Sequence, residues 1–485
     1  MSFTRFTRFT QCSSGFAVDS AALMIGLVTA LSSVAPGAIA QTDATKLPEP
    51  SKIQQEAQKF YSQAAGKARN SDYRGAIVDF NQAIEMNPTL GNAYVGRGAV
   101  RASLGDSSGA IADFDRAIKL SPFDASAYAQ RGTTRFGAGQ AEEAIADFDK
   151  ALELNPTLVA AYVNRGYIRS QSGNTEAAIA DFDQALQIQP TYAPALLNRG
   201  YVRFTQGNRQ AAMDDLNQAI KLQPGSAEAY LSRGAVHYQA GDTEAAIADF
   251  RQATRIQPTY ASAHYNLGLA QSRLGNLEAA QADFTQVVKL NPDKADAFLR
   301  RGMVRAALED AEGAIADYNQ VLKLQPDNVE AWKSRGDLRV AVGDKQGAFA
   351  DYTQALQVKS DDAAAYIRRA ATRSQLGDRQ GAISDYTQAI SLNTPDASAF
   401  KNRGKARMEM EDLRGAIDDF SQTLRLDPSS ADAYYNRGVL LARMGDRDQS
   451  LTDLRLAGDL YLQQGQAEGY REVLKQMSKL NAQNK

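Results

Sequence analysis

Residues 125–158 read ASAYAQRGTTRFGAGQAEEAIADFDKALELNPTL, and the same pattern returns along the chain at intervals of 34 residues. Tyr128 and Gly132 sit four apart, Gly139 marks a turn, and Ala144, Ile145, Phe148, Ala151 and Leu152 form a stripe of helical period. Asn155-Pro156 ends that stripe, because proline has no amide to donate and restrains the residue before it. The stretch is a helical hairpin. Its proline recurs at Pro88, Pro122, Pro156, Pro190, Pro224, Pro258, Pro292 and Pro326, and the beat resumes at Pro428. Ser360 and Thr394 stand at the two skipped beats, with Pro395 displaced by one. Counting back gives twelve units, starting at Ala57, Gly91, Ala125, Val159, Ala193, Ala227, Ala261, Ala295, Val329, Ala363, Ala397 and Ala431 and ending at Gln464.

Small residues recur where two helices must touch. Gly132, Gly166, Gly200, Gly234, Gly268, Gly302, Gly336, Gly404 and Gly438 take the eighth place of their units, and Ala110, Ala144, Ala178 and Ala212 the twentieth. Aromatics fill the space around that contact at the fourth place (Tyr94, Tyr128, Tyr162, Tyr230, Trp332, Tyr366, Tyr434) and the twenty-fourth (Phe114, Phe148, Phe182, Phe250, Tyr318, Phe420). They are core, not a cofactor box. After Leu462, Tyr470, Val473, Leu474, Met477 and Leu480 make one apolar face, which predicts a capping helix within 465–485.

With an aromatic at place four, Gly at eight, Ala at twenty, an aromatic at twenty-four and Pro at thirty-two, the unit resembles the tetratricopeptide repeat over residues 57–464. The resemblance implies an all-α fold, a right-handed α-α superhelix whose first helices line a concave groove. It implies a non-enzymatic scaffold that holds peptide segments or helices of partner proteins in that groove. Self-assembly, or service as the regulatory arm of an enzyme encoded elsewhere, are the alternatives. The phrase N-R-G-x-x-R-x-x-x-G-D is similar to exported repeat proteins of bacteria, cyanobacteria in particular. The departures from the family pattern are arginines at the seventh and eleventh places.

Arg97, Arg131, Arg165, Arg199, Arg233, Arg301, Arg335, Arg369, Arg403 and Arg437 take the seventh place, and an aspartate takes the twenty-third place of every unit, from Asp79 to Asp453. The two places lie roughly opposite in the hairpin, so forked Arg–Asp pairs that lock the helices are expected. Arginines lining the groove for acidic ligands are the competing reading. At Leu267 the series is broken.

The front end differs from the rest. Arg5 and Arg8 precede an apolar run from Ala21 to Leu31, and Ala38-Ile39-Ala40 before Gln41 has the small-x-small form of a signal-peptidase site. Residues 1–40 are expected to be a cleaved signal and 41–56 a linker with a leading helix turn, Ser51 and Gln54 forming a capping box. An uncleaved anchor is the alternative, but Ser32, Ser33, Pro36 and Gly37 break the run short of a bilayer span. Export to a periplasm, to a thylakoid lumen if cyanobacterial, or out of the cell follows. Cys12, the one cysteine, falls inside the signal, so the mature chain offers no thiolate metal site.

Lys and Arg total 54 against 56 Asp and Glu, a balance without the excess positive charge that nucleic acid needs. The two histidines, His237 and His264, fall on consecutive first helices too far apart to share a metal, and no nucleophile or phosphate-loop motif stands in a catalytic setting. No cofactor is expected. What remains is the groove. In units four to eight its places carry Val163, Tyr167, Leu197, Tyr201, Phe204, Leu231, Tyr238, Tyr265, Leu269, Leu299 and Met303, an apolar and aromatic stripe without evident internal partners. Asn164, Asn198 and Asn266 add amides that could pair with an extended backbone. Lys333, Asp337, Lys401, Lys405 and Glu409 make the far end charged. The competing reading buries the stripe between neighbouring first helices.

Overall fold

The computed structural model describes residues 52–392 and 396–482. The leading apolar run, the cleavage site, the Ser51 cap and the displaced Pro395 lie outside the described residues. Within them the chain is all helix, with twenty-five helices and no strand. They fall into two compact units of contacts, 52–274 and 275–482.

The first comprises α1 (Lys52–Arg69), α2 (Tyr73–Met86), α3 (Gly91–Ser103), α4 (Ser107–Leu120), α5 (Ala125–Gly137), α6 (Ala141–Leu154), α7 (Val159–Gln171), α8 (Thr175–Ile188), α9 (Ala193–Thr205), α10 (Arg209–Leu222), α11 (Ala227–Ala240), α12 (Thr243–Ile256) and α13 (Ala261–Arg273). The second comprises α14 (Leu277–Leu290), α15 (Ala295–Ala307), α16 (Ala311–Leu324), α17 (Val329–Ala341), α18 (Lys345–Val358), α19 (Ala363–Gln375), α20 (Arg379–Ser391), α21 (Ala397–Glu409), α22 (Leu413–Leu426), α23 (Ala431–Arg443), α24 (Arg447–Gln463) and α25 (Ala467–Ala482). From α3 onward each first helix begins at the residue that the 34-residue count marks. By contrast α1 starts at Lys52, ahead of Ala57.

Turn chemistry sets these boundaries. After α7, Gly173 takes a left-handed backbone (φ 79°), and Asn174 then caps α8 by accepting from the Ala177 amide. Such a turn leaves no room for continued helix and satisfies one of the orphan amides of the next one. At the hairpin's other end the fourth-place ring holds the proline turn before it: Tyr94 Oη donates to the Pro88 carbonyl at 3.3 Å and Trp332 Nε1 to that of Pro326 at 2.8 Å.

Inside each hairpin the eighth-place glycine touches the second helix directly. A Cβ built on Gly166 would stand 2.8 Å from Phe182 and 3.2 Å from the Ala178 carbonyl. Phe182 is fully buried in a cluster with Val163, Leu196 and Val202, which ties α7, α8 and α9 together. In the second body α25 closes the last hairpin, with Val473 buried and Tyr470, Met477 and Leu480 packed against Leu454 and Tyr461.

Candidate functional site

The arginines and aspartates take the locking role, and they do so as a ladder. Arg165 donates through Nε and Nη2 to Asp181 (3.1 and 2.6 Å) and through Nη1 to Asp149 of the preceding unit at 2.6 Å. Arg169, at the eleventh place, reaches the same Asp181 at 2.8 Å. The arrangement repeats at Arg131, Arg199, Arg335 and Arg403, each forking onto its own aspartate and reaching back to an Asp, Asn or Thr at the twenty-fifth place of the unit before. Except at Arg199, where the fourth place is Leu196, each of these guanidinium groups also lies over its fourth-place ring, 5.5 Å from the Tyr162 centroid in the case of Arg165. Burial opposes charge on Arg165, but the hydrogen bonds and charges of Asp181 and Asp149 outweigh it and hold the group above the ordinary arginine value. With their donors turned between the helices, these arginines do not line a groove for acidic ligands.

The apolar stripe is more enclosed than its sequence suggests. In the first body Val163 belongs to the core with Leu196, and Leu231 to the core with Ala263 and Leu267. Tyr265 and Tyr167 are buried, the latter stacked edge-on against Phe136 at 5.8 Å. In the second body Leu299 packs with Tyr318 and Val321. The expectation of a stripe without internal partners is therefore corrected for Val163, Tyr167, Leu231, Tyr265 and Leu299. The cause is that first helices of consecutive units touch, α5 with α7, α7 with α9, α9 with α11, α11 with α13 and α15 with α17, so that a side chain at the fifth place, and Tyr167 at the ninth, meets the neighbouring first helix.

What stays half-open is narrower. Leu197, Tyr201, Phe204, Tyr238 and Leu269 in the first body, and Met303 in the second, are partly buried. Burial raises the Tyr201 hydroxyl above the usual phenol value, and burial followed by Tyr201 raises that of Tyr167. Both rings stay neutral.

The three asparagines part company. Asn164 is partly buried and its amide donates to Thr133 Oγ1 at 3.4 Å. Asn198 is buried. Asn266 is 0% exposed, and neither its Nδ2 nor its Oδ1 has a hydrogen-bond partner. It shares a face of α13 with Ser262 and Leu269, the i−4 and i+3 positions. An amide so placed forgoes a donor and an acceptor at about 1–3 kcal/mol for each unsatisfied group.

The charged end of the series, in the second body, is internally matched. Lys333 bonds Asp362 at 3.1 Å, Asp337 accepts from Arg368 at 2.9 Å and from Tyr352 at 2.7 Å, and Glu409 pairs with Arg379. Lys405 stands 3.8 Å from Asp432 at the rim of a cavity of about 310 Å³ that α25 walls with Glu468 and Glu472. Lys401 is partly buried. Sequence reasoning missed that cavity, since nothing in α25 tells which residues it will face. Also missed were two tyrosines that join Tyr318 at the twenty-fourth place, Tyr352 and Tyr386, where a hydroxyl replaces the phenylalanine edge; burial pushes that of Tyr386 up to about 12. His237 lies 3.4 Å from Asp242 and His264 3.2 Å from the Pro258 carbonyl, and no cluster suited to a metal is present among the described residues. No described helix is long and apolar enough to cross a membrane.

Models of the TPR repeat match residues 132–173, 166–207, 203–241, 236–275 and 404–445, and models of the tetratricopeptide repeat match 61–125, 265–329, 299–375 and 363–396. No curated protein matches the chain. Solved structures that resemble it include the MamA protein (24% identity, 35% of this chain and 93% of that one, TM-score 0.34). Others are YrrB, a TPR protein with an unusual peptide-binding site (25%, 38% and 95%, 0.33), and the APC/C hetero-tetramer Cut9-Hcn1 (12%, 87% and 97%, 0.41). The matched segments lie on the hairpins whose glycine, alanine, aromatic and proline contacts are described above, and the chain belongs to the tetratricopeptide-repeat family.

Proposed function

We propose that the chain is a scaffold that binds an extended segment of a partner protein along the first helices α9, α11 and α13. Family membership supports the coarser part, a protein-interaction scaffold. The finer part rests on one observation, the buried and unsatisfied amide of Asn266. A carboxamide offers one donor face and one acceptor face, which a peptide group of an extended strand matches. A helical ligand has already used both in its own ladder. Tyr201, Phe204, Tyr238 and Leu269, half-buried, supply rings and a methyl surface for the ligand's side chains.

The test is selection of 12-residue peptides from a displayed library on the full chain, followed by affinity measurement on variants. Asn266→Leu removes the unsatisfied atoms in a similar volume. It is expected to raise the stability of the empty protein by about 1 kcal/mol while weakening selected peptides at least tenfold, about 1.4 kcal/mol. Tyr238→Ala should weaken them comparably. Peptides that bind all three proteins alike would overturn the assignment.

A further inference from the structure

Charge is balanced along the first helices of the second body, where Lys333 is met by Asp362 and Asp337 by Arg368. The cavity beside α25 departs from that. Around it stand three carboxylates, Asp432, Glu468 and Glu472, against one ammonium, Lys405. Lys405 lies 3.8 Å from Asp432, Glu472 reaches Lys475 of its own helix at 3.4 Å, and Glu468 has no ion pair among the described residues. Glu468 and Glu472 are four residues apart on α25, so two like charges share one face and repel. A concave wall of one sign draws a counter-ion.

The other walls select among cations. Tyr461 Oη and Asn436 Nδ2 donate to the Asp432 carboxylate and carbonyl, each at 2.8 Å, so the cavity offers a ligand mostly acceptors and two tyrosine rings, Tyr435 and Tyr461. Gly469 brings α25 onto Tyr461, since a Cβ there would stand 2.7 Å from the ring. At about 310 Å³ the cavity has room for one long side chain and none for a helix of about 10–12 Å diameter. A guanidinium fits. It carries five donors and no acceptor, is less strongly hydrated than an ammonium, and stacks on aromatic faces. The chain uses this combination itself on α23, where Arg437 forks onto Asp453 at 2.7 and 2.9 Å and lies 5.8 Å from the Tyr434 centroid.

We infer that the cavity walled by α21, α23, α24 and α25 is a second binding site of the scaffold, which takes the guanidinium of an arginine on a partner protein between Glu468, Glu472 and the ring of Tyr435. The site does not depend on the groove along α9, α11 and α13. Its consequence is selectivity: a partner that reaches this part of the second body is chosen by an arginine at one position.

The probe is a labelled five-residue peptide with a central arginine among glycines and serines, titrated into the full chain and read by fluorescence anisotropy. Saturable binding is expected, with the citrulline peptide, similar in shape but uncharged, at least fivefold weaker. Glu468→Gln together with Glu472→Gln should weaken the arginine peptide at least fivefold, whereas Asn266→Leu should leave it unchanged. Both glutamates are exposed, and the double substitution removes their repulsion, so the melting temperature is expected to stay equal or rise. Free arginine, whose α-carboxylate would meet the acidic wall, should bind at least threefold more weakly than the peptide. No saturation by about 5 mM peptide, equal binding of the citrulline peptide, or binding untouched by the double substitution would overturn the site. A lowered melting temperature would make the glutamates structural and overturn it as well. Free arginine that binds as tightly as the peptide would overturn the protein as its source.

Discussion

Asp181 shows how much one side chain carries. It receives Arg165 twice and Arg169 once, and it is nearly fully buried. Asp181→Ala leaves two guanidinium groups, themselves mostly buried, facing each other with only the more exposed Asp149 to share. Breaking a buried pair from one side costs about 3–5 kcal/mol, and denaturant unfolding of the variant should show a loss of about 3 kcal/mol. An unchanged midpoint would mean that the ladder is decorative. The pairing of seventh and twenty-third places was legible in the sequence because arginine recurs at the one in ten units and aspartate at the other in all twelve. Its extension to the previous unit was not, because Asp149, Asn319 and Thr387 differ in chemistry and share only an acceptor oxygen. The Asn266 amide was legible as an amide but not as an unsatisfied one, since burial depends on the packing of α13 and not on its own letters.

At the scale of the element, the hairpin is dictated by contact distance. Gly166 permits α7 to lie on α8, and a methyl group there would press on Phe182, the Asp181 Cβ and the Ala178 carbonyl. Gly166→Ala should cost about 1–3 kcal/mol by overpacking. Gly137, at the exposed end of α5, has no atom within 4 Å of where its Cβ would be. There the same substitution should stabilise by about 0.5–1 kcal/mol, through the smaller entropy of the unfolded chain. Thermal melts of the two variants moving in the same direction would contradict this account of the glycines. The starts of the first helices from α3 onward followed from the proline beat residue by residue. The exposure of the first-helix face did not follow: fifth-place residues such as Val163 and Leu231 are enclosed by the next unit's first helix, a contact between residues about 34 apart that no local pattern encodes.

For the molecule as a whole, stability in each body is a sum of hairpins and their nearest-neighbour contacts. A substitution in one hairpin is therefore felt there and in the flanking hairpins. The same modularity lets one side vary while the ladder stays fixed, which is how half-buried aromatics in the first body coexist with ion-paired places in the second. The central claim is that the first helices, and not the second, form the binding face. Hydrogen exchange of the full chain, with and without a selected 12-residue peptide, measures it directly. The account predicts slowed exchange in α9, α11 and α13 with α10 and α12 unchanged. Slowing confined to α10 and α12 would place the ligand on the opposite side and contradict it.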